Sequence, residues 1–185
     1  MPRAVCPRCE RPARTCLCGI LPAPLPNRTE LLILQHPAEV GHAKNTATLL
    51  ALGLQRVRLL RGKVFDPGVA GPGSALLYPG VPPAAARPGD VQCLVLLDGS
   101  WRQSRRLLVA NPWLQALPRL SLPALASRYA IRAAHRPGQL ATLEAGLHAL
   151  ALLGAGEASL QPLWMAFDQF VAASLARRSR VTGQP

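Results

Sequence analysis

Four cysteines lie close together near the start of the chain, in the segment CPRCERPARTCLC. They are Cys6, Cys9, Cys16 and Cys18, spaced as Cys-x2-Cys, six further residues and Cys-x-Cys. Four thiolates in so short a segment match a tetrahedral zinc site, and a four-cysteine set leaves no open position for catalysis. The segment has few apolar residues, so metal binding would supply the free energy that folds it. The spacing predicts a structural zinc knuckle, with free or redox-active cysteines as the alternative.

A second candidate for chemistry is the stretch 91–108, VQCLVLLDGSWRQSRRLL. Its apolar run, residues 91–97, has strand character and ends at Asp98, after which Gly99, Ser100 and Trp101 lead into a helical pattern. Open α/β sheets bind ligands at the carboxyl ends of their strands, so this junction is a candidate site. Asp98 and Ser100 could instead only cap the helix, and Trp101 could be a packing residue.

Basic side chains follow at once. Arg102, Arg105 and Arg106 are three and four residues apart, so two of them share a helix face that could meet phosphate. The chain of 185 residues has 21 Lys and Arg against 9 Asp and Glu, a formal charge of +12. Arginine binds phosphate through two nitrogens and stacks on bases, so this excess favours a nucleic-acid partner. Codon bias would explain arginine over lysine, but not the shortage of acids.

The order of elements indicates how these residues are positioned. Pro22, Pro24 and Pro26 form a stiff linker, so we divide the chain into a knuckle with linker, residues 1–27, and a domain, residues 28–185. Within the domain, hydrophobic patterns predict strands at 30–35, 55–60, 74–77, 91–97, 118–122 and 129–132. Helices are predicted at 41–54, from 101 onward, at 140–153 and at 158–178. This order predicts an α/β fold with a mostly parallel sheet flanked by helices.

Turn signals place polar or aromatic residues where the strands end: His36, Tyr78, Pro79, Asp98 and Arg132. The carboxyl ends of parallel strands share one edge of a sheet, so we expect these residues to lie along that edge. Lys44 and Thr46 near a helix start offer an anion site, with a solvated helix start as the alternative. Arg8, Arg11 and Arg14 alternate with the cysteines, so the knuckle could also touch an RNA backbone.

The same sequence carries no signal for a membrane. It has no uninterrupted apolar window of about 18 residues, and its start, MPRAVCPRC, lacks the apolar core of a signal peptide. We therefore expect a cytoplasmic protein that does not bind membranes. Cysteines stay reduced in the cytoplasm, which favours metal binding over disulfides.

The segment Asp98-Gly99-Ser100-Trp101 resembles the D-x-T/S-W signature of the DTW-domain family, the tRNA-uridine aminocarboxypropyltransferases. The resemblance runs over nearly the whole chain, because other motifs follow in the family's order. Besides the knuckle these are His36-Pro37-x-Glu39, Lys44 with Thr46, Tyr78-Pro79-Gly80, Tyr129-x-Ile131-Arg132 and Thr142-Leu143-Glu144-Ala145. Ser100 stands where the family more often has threonine, so a hydroxyl is retained.

The resemblance implies a SPOUT-like α/β fold, with a knot in its C-terminal part left open. It implies that S-adenosylmethionine donates its 3-amino-3-carboxypropyl group to N3 of a tRNA uridine, releasing 5′-methylthioadenosine. The chain lacks G-x-G-x-x-G, so a Rossmann-type methyltransferase finds no support. The alternatives are a SPOUT-type RNA methyltransferase and a non-catalytic zinc-knuckle RNA-binding module. The oligomeric state is left open.

The resemblance also assigns roles to residues. N3 of uridine is protonated at neutral pH, and Asp98 is the candidate base. Alternatively Asp98 binds the amino group of the donor while the proton goes to water, or His36 is the base. The candidate catalytic residues are Asp98, Ser100 and Trp101. Those for the donor are Tyr78, Pro79, Gly80, Asp98, Arg132 and Thr142. Those for RNA are His36, Lys44, Arg102, Arg105 and Arg106.

Overall fold

The computed structural model describes residues 4–79, 84–131 and 139–182, with side chains as far as residue 177. Within that part of the chain, one five-stranded sheet has the order β2-β1-β4-β3-β5. All neighbouring strands are parallel. The strands are β1 (Glu30–Gln35), β2 (Val57–Arg61), β3 (Ser74–Leu77), β4 (Cys93–Asp98) and β5 (Arg119–Leu120).

Helices cover both faces of this sheet. They are α1 (Ala47–Gly53), α2 (Trp101–Ala110), α3 (Trp113–Ala116), α4 (Thr142–Leu152) and α5 (Glu157–Thr182). The predicted α/β class with a parallel sheet flanked by helices is confirmed. The knot stays a prediction, because the chain between β5 and α4 includes residues 132–138, which lie outside the described ranges. Among the helices of the described ranges, none combines the length and the apolar character that a membrane span requires.

The apolar run of β1 is buried on both sides of the sheet. Leu31 and Ile33 pack in the cluster that contains α1, α4 and α5. Leu32 and Leu34 pack in a second cluster, with Leu108 from α2. Each of the four β1 residues has no exposed surface, and burying one such side chain contributes roughly 1.5–3 kcal/mol. This two-sided burial explains why the strand reads as a continuous apolar run rather than an alternating one.

The helices that follow two neighbouring strands lie on opposite faces of the sheet. After β1 it forms α1 on one face of the sheet, whereas after β4 it forms α2 on the other face. β1 and β4 are adjacent, so the side of the sheet on which the chain returns changes between their carboxyl ends, where open α/β sheets bind ligands. Gln35 and Asp98 are partners in register at this point. The sheet therefore places Asp98 at this change of side.

Two sequence-based assignments are wrong. The helix predicted at 41–54 begins only at Ala47, because the Asn45 side chain accepts the Ala47 N–H at 2.9 Å and the preceding residues form turns. The strand predicted at 129–132 does not form in its described part, residues 129–131. The neighbouring N–H of Arg128 instead donates to the Glu144 carboxylate at 2.6 Å.

The N-terminal segment packs against the domain. Cys9 and Leu17 are buried in the same apolar cluster as α1, α4 and α5. The linker is also tied down, since the Leu25 N–H donates to Gly53 and the Leu25 carbonyl accepts from Gln55. The division of the chain after residue 27 stays a prediction, and the contacts show that the two segments share one core.

Candidate functional site

The four cysteines of the knuckle come together as a potential metal site. The sulfurs of Cys6 and Cys18 are 3.6 Å apart, and those of Cys9 and Cys16 are 3.7 Å apart. All four lie within 4.8 Å of one another. Tetrahedral zinc with Zn–S bonds of about 2.3 Å would separate its sulfurs by about 3.8 Å. The four sulfurs therefore fit one zinc ion.

A tight turn aims the first two of these cysteines. The Cys6 N–H donates to the Arg11 carbonyl at 2.8 Å, and the Glu10 N–H donates to the Cys6 carbonyl at 2.9 Å. Glu10 takes the left-handed φ of 55° that closes the turn. Backbone amides of Cys9 and Arg8 lower the pKa of the Cys6 thiol to about 6, whereas burial raises the pKa of Cys18 to about 12. Zinc would displace the remaining thiol protons.

Asp98 lies at the centre of a buried polar network. It is 3% exposed. Its Oδ2 accepts hydrogen bonds from Gln35 Nε2 at 2.9 Å and from Asn45 Nδ2 at 2.7 Å. Its Oδ1 accepts from Thr142 Oγ1 at 2.5 Å. Asp98 thereby ties together the end of β1, the segment before α1 and the first turn of α4.

The partners of Asp98 are all neutral. No arginine or lysine of the described residues forms a salt bridge with it. Three donors contact its two oxygens, and two of them occupy the acceptor positions of Oδ2. Only Oδ1 keeps free acceptor capacity, beside the Thr142 hydroxyl. The carboxylate is therefore a buried negative charge held by hydrogen bonds alone.

A pocket opens next to this network, over the carboxyl ends of β3 and β4. Thr142 lines the pocket and stands between it and Asp98, which does not itself line it. Apolar side chains, including Leu96 and Leu120, form much of the wall. The pocket thus combines an apolar surface with one hydroxyl backed by a buried carboxylate, a combination that suits a small organic ligand with cationic groups.

Two aromatic rings stand at this pocket. Tyr78 and Trp101 both line it, and their ring centroids are 5.8 Å apart in an edge-to-face arrangement. The Arg119 guanidinium lies 5.6 Å from the Tyr78 ring centroid. Trp101 is 44% exposed, so its indole could stack on a flat ring from outside. Sequence reasoning missed Arg119.

Ser100 is the N-cap of α2. Its Oγ accepts the Gln103 N–H at 3.4 Å, and Gln103 Oε1 accepts the Ser100 N–H at 2.5 Å. This reciprocal pair is a capping box, which begins the helix directly after the strand end. The hydroxyl therefore sets the start of α2 and with it the position of Trp101. Of the two candidate caps, Ser100 fills the role and Asp98 does not.

The three arginines of α2 lie on its outer surface. Arg102, Arg105 and Arg106 are exposed. Among the described residues none of the three has a hydrogen-bond or salt-bridge partner. Their charges continue outward from Trp101 along the helix. This face, which we call the α2 arginine face, can bind phosphate without first breaking an internal contact.

The remaining candidate RNA residues differ in access. Lys44 is exposed. His36 is only 8% exposed, and its Nδ1 accepts the Ala38 N–H at 3.2 Å. An accepting Nδ1 places the proton of neutral His36 on Nε2. Of the predicted donor residues, Tyr78, Pro79 and Thr142 line the pocket, whereas Gly80 and Arg132 lie outside the described residues.

Glu144 holds the segment before α4 against residues 127 and 128. It is almost fully buried, and it accepts hydrogen bonds from the N–H groups of Ala141 and Arg128 and from Ser127 Oγ. Sequence analysis named it only as part of the Thr142-Leu143-Glu144-Ala145 motif and missed its partners. Gln35 and Asn45 were missed as well. The available signals were a glutamine that ends a buried run and an asparagine before a helix.

These features define a class: α/β proteins with a ligand pocket at the carboxyl edge of a parallel sheet, here joined to a four-cysteine metal site. The DTW domain family matches residues 3–175, and those residues include both sites. The chain belongs to the DTW domain family. The Asp98–Trp101 signature lies where the pocket, the polar network and the start of α2 meet.

Similar proteins carry related names. The chain is 34% identical to tRNA-uridine aminocarboxypropyltransferase 2 of Drosophila melanogaster over 169 residues. This match covers 82% of this chain and 67% of that protein. It is 32% identical to the Macaca fascicularis protein of the same name, over 82% of this chain and 57% of that protein. It is 31% identical to tRNA-uridine aminocarboxypropyltransferase A of Arabidopsis thaliana, in a match that covers 59% of this chain and 52% of that protein. The chain thus spans about half to two thirds of the relatives' lengths.

A solved structure shares the fold. It is that of the SAM-dependent rRNA:acp-transferase Tsr3 from Vulcanisaeta distributa, with a TM-score of 0.50 and 21% sequence identity. The match covers 82% of each chain. At this identity the similarity concerns the arrangement of strands and helices.

Proposed function

We propose that this chain transfers the 3-amino-3-carboxypropyl group of S-adenosylmethionine to N3 of a uridine in tRNA. The observation that carries the proposal is the position of the DTW signature. Its aspartate backs the pocket through Thr142, and its tryptophan forms part of the pocket rim. Membership in the DTW family and the names of the relatives support the same activity.

The pocket suits the donor in charge and shape. S-adenosylmethionine carries positive charge on its sulfonium and its ammonium group. The unpaired negative charge of Asp98 favours cations in the neighbouring pocket, and the Thr142 hydroxyl, which donates to Asp98, presents its lone pairs as acceptors. The apolar wall, with Tyr78, can take the adenine ring. We also assign the donor role to Pro79 and keep Gly80 and Arg132 as proposals.

The reaction asks mainly for positioning. N3 of uridine attacks the carbon of the donor's aminocarboxypropyl group that is bonded to sulfur. An N–C bond forms while the bond between that carbon and sulfur breaks. The electron pair of that bond goes to sulfur, so 5′-methylthioadenosine leaves. Which of the three carbons on sulfur reacts depends on which one faces N3 in line, hence on the pose that the pocket fixes.

The N3 proton must also leave. Asp98 can receive it only through Thr142, because the carboxylate is buried behind that hydroxyl and Oδ2 already has two donors. His36 is unsuited as a base in this tautomer, because its Nδ1 accepts a backbone N–H and its Nε2 carries the proton. We propose that the proton passes to water and that Asp98 is a positioning and electrostatic residue.

RNA would approach from the side of α2. The α2 arginine face lies next to Trp101, so phosphate contacts along the helix would bring a base to the pocket rim. A splayed uridine could stack on Trp101, as single-stranded bases do on aromatic side chains. Lys44 is exposed and is proposed as a further phosphate contact. The proposed site of action is the cytoplasm, where cysteines are kept reduced for zinc.

The experiment is incubation of the chain with tRNA and S-adenosylmethionine, followed by chromatography of the donor's product. The proposal predicts 5′-methylthioadenosine. S-adenosylhomocysteine would identify a methyltransferase instead. Tight tRNA binding with neither product would identify a non-catalytic RNA-binding module.

A further inference from the structure

Arg11 belongs to the knuckle but points into the protein. It is 6% exposed, so it is not available to RNA as the spacing of the knuckle arginines predicted. Its Nη1 donates to the Ala43 carbonyl at 2.9 Å, and its Nη2 donates to the Asn45 carbonyl. Its guanidinium also lies 5.3 Å from the Phe170 ring centroid. A knuckle residue thus binds the segment before α1 directly.

That segment, residues 43–46, depends on side chains for its conformation. It has no helical or strand hydrogen-bond pattern. Three successive carbonyls are nevertheless bound, those of Ala43 and Asn45 by Arg11 and that of Lys44 by the Tyr129 hydroxyl. Because backbone regularity does not fix the segment, Arg11 contributes two of the contacts that do.

The same segment holds the site. Asn45 Nδ2 donates to Asp98 at 2.7 Å, and Thr46 Oγ1 accepts the Leu143 N–H at 3.2 Å. Thr142, adjacent to Leu143, donates to Asp98 and lines the pocket. A continuous set of hydrogen bonds therefore leads from Arg11 through Asn45 and Asp98 to the pocket wall.

The charge of Arg11 also points to the metal site. No carboxylate of the described residues forms a salt bridge with it. Four thiolates with one zinc carry a net charge of −2, so the loaded knuckle would supply a counter-charge to this buried guanidinium.

We propose that Arg11 is a positioning residue that couples the zinc knuckle to the donor pocket. The folded knuckle holds the guanidinium against the carbonyls of Ala43 and Asn45. Asn45 then holds Asp98, and Asp98 holds Thr142 in the pocket wall. The assignment of the pocket to the donor rests on the proposed function, whereas the coupling itself does not.

The test compares Arg11→Ala and Arg11→Lys with a matched control, Arg14→Ala. Arg14 belongs to the same knuckle and is exposed. Zinc content, thermal unfolding and the dissociation constant for S-adenosylmethionine are measured on each variant. We expect one zinc per chain throughout, donor binding at least tenfold weaker in Arg11→Ala, and native binding in Arg14→Ala. The donor affinity of Arg11→Lys should lie between those of Arg11→Ala and the native chain, because an ammonium group lacks the planar geometry that reaches both carbonyls.

A kinetic split and a double variant separate positioning from a general loss of stability. Positioning lowers the fraction of molecules competent to bind, so KM for the donor should rise at least tenfold while kcat changes less than threefold. Arg11→Ala and Asn45→Ala should be non-additive in donor binding, because they act through one path. Native donor affinity in folded Arg11→Ala, or additive effects in the double variant, would overturn the coupling.

Hydrogen exchange tests the coupling without the donor. The Leu143 N–H, which depends on Thr46, should exchange at least tenfold faster in Arg11→Ala than in the native chain or in Arg14→Ala. Unchanged exchange at Leu143 would refute the coupling. If the native chain binds no S-adenosylmethionine while Arg11→Ala still exchanges faster at Leu143, only the donor assignment is refuted.

Discussion

Replacing Asp98 by asparagine separates a positioning carboxylate from a catalytic base. The amide oxygen must take the place of Oδ2, because Gln35 and Asn45 can only donate there. The amide nitrogen then faces Thr142, whose hydroxyl can turn to accept. All three contacts survive in neutral form, so Asp98→Asn should fold.

The cost of the change follows from the lost charge. A hydrogen bond to a charged group contributes roughly 1 kcal/mol more than a neutral one, so three such bonds bring about 3 kcal/mol at most. Relief of the buried charge offsets part of this. For a chain of this length, 3 kcal/mol corresponds to a fall in Tm of roughly 6–12 °C, and we expect the measured fall to stay within that bound.

Donor binding decides between the two roles. In Asp98→Asn the negative charge behind the pocket is lost. The Thr142 hydroxyl then accepts from the new amide, so its lone pairs are no longer free to face the donor. We therefore expect at least tenfold weaker binding of S-adenosylmethionine by calorimetry, with transfer reduced in parallel at subsaturating donor. Native donor affinity combined with no transfer at saturating donor and tRNA would refute this reasoning and make Asp98 the base.

Three further predictions follow from the site. Thr142→Val should destabilise the fold by roughly 1–3 kcal/mol in thermal unfolding, because it leaves the buried Asp98 Oδ1 without a donor. Thr142→Ser should be near native; a loss in Thr142→Ser with Thr142→Val near native would show that the methyl group matters instead of the hydroxyl. Replacing Arg102, Arg105 and Arg106 by alanine should weaken tRNA binding and lower the salt dependence of log K by roughly 2–3, with donor affinity unchanged; an unchanged salt slope would place the RNA elsewhere. Metal analysis should find one zinc per chain, and Cys16→Ser or a strong chelator should lower Tm; a zinc-free chain of native Tm would contradict the knuckle.

The sheet and its site strand could be predicted from local pattern. The run in β1 and the abrupt polar end of β4 carry their information within a few residues. A strand followed by Asp98, a glycine and a capping serine is likewise a local signal. Local pattern also gave a wrong helix start, because it predicted a helix from residue 41. In the structure the Asn45 side chain accepts the Ala47 N–H, and the helix begins at Ala47.

The partners of Asp98 could not be predicted in the same way. Gln35 and Asn45 are 63 and 53 residues away from it in the sequence. The parallel pairing of β1 with β4 brings Gln35 to Asp98, whereas Asn45 lies in a segment held by Arg11 and Tyr129. Arg11 was expected to be available to RNA because it alternates with the cysteines of the knuckle. Its burial depends on carbonyls 32 and 34 residues further on, which no short window contains.

The central claim is the transfer of an aminocarboxypropyl group to uridine in tRNA, and mass spectrometry of the product nucleosides tests it most directly. tRNA is incubated with this chain and S-adenosylmethionine, then digested to nucleosides. We expect a uridine heavier by one 3-amino-3-carboxypropyl group, attached at N3. A methylated nucleoside, or unmodified uridine in tRNA that the chain demonstrably binds, would contradict it.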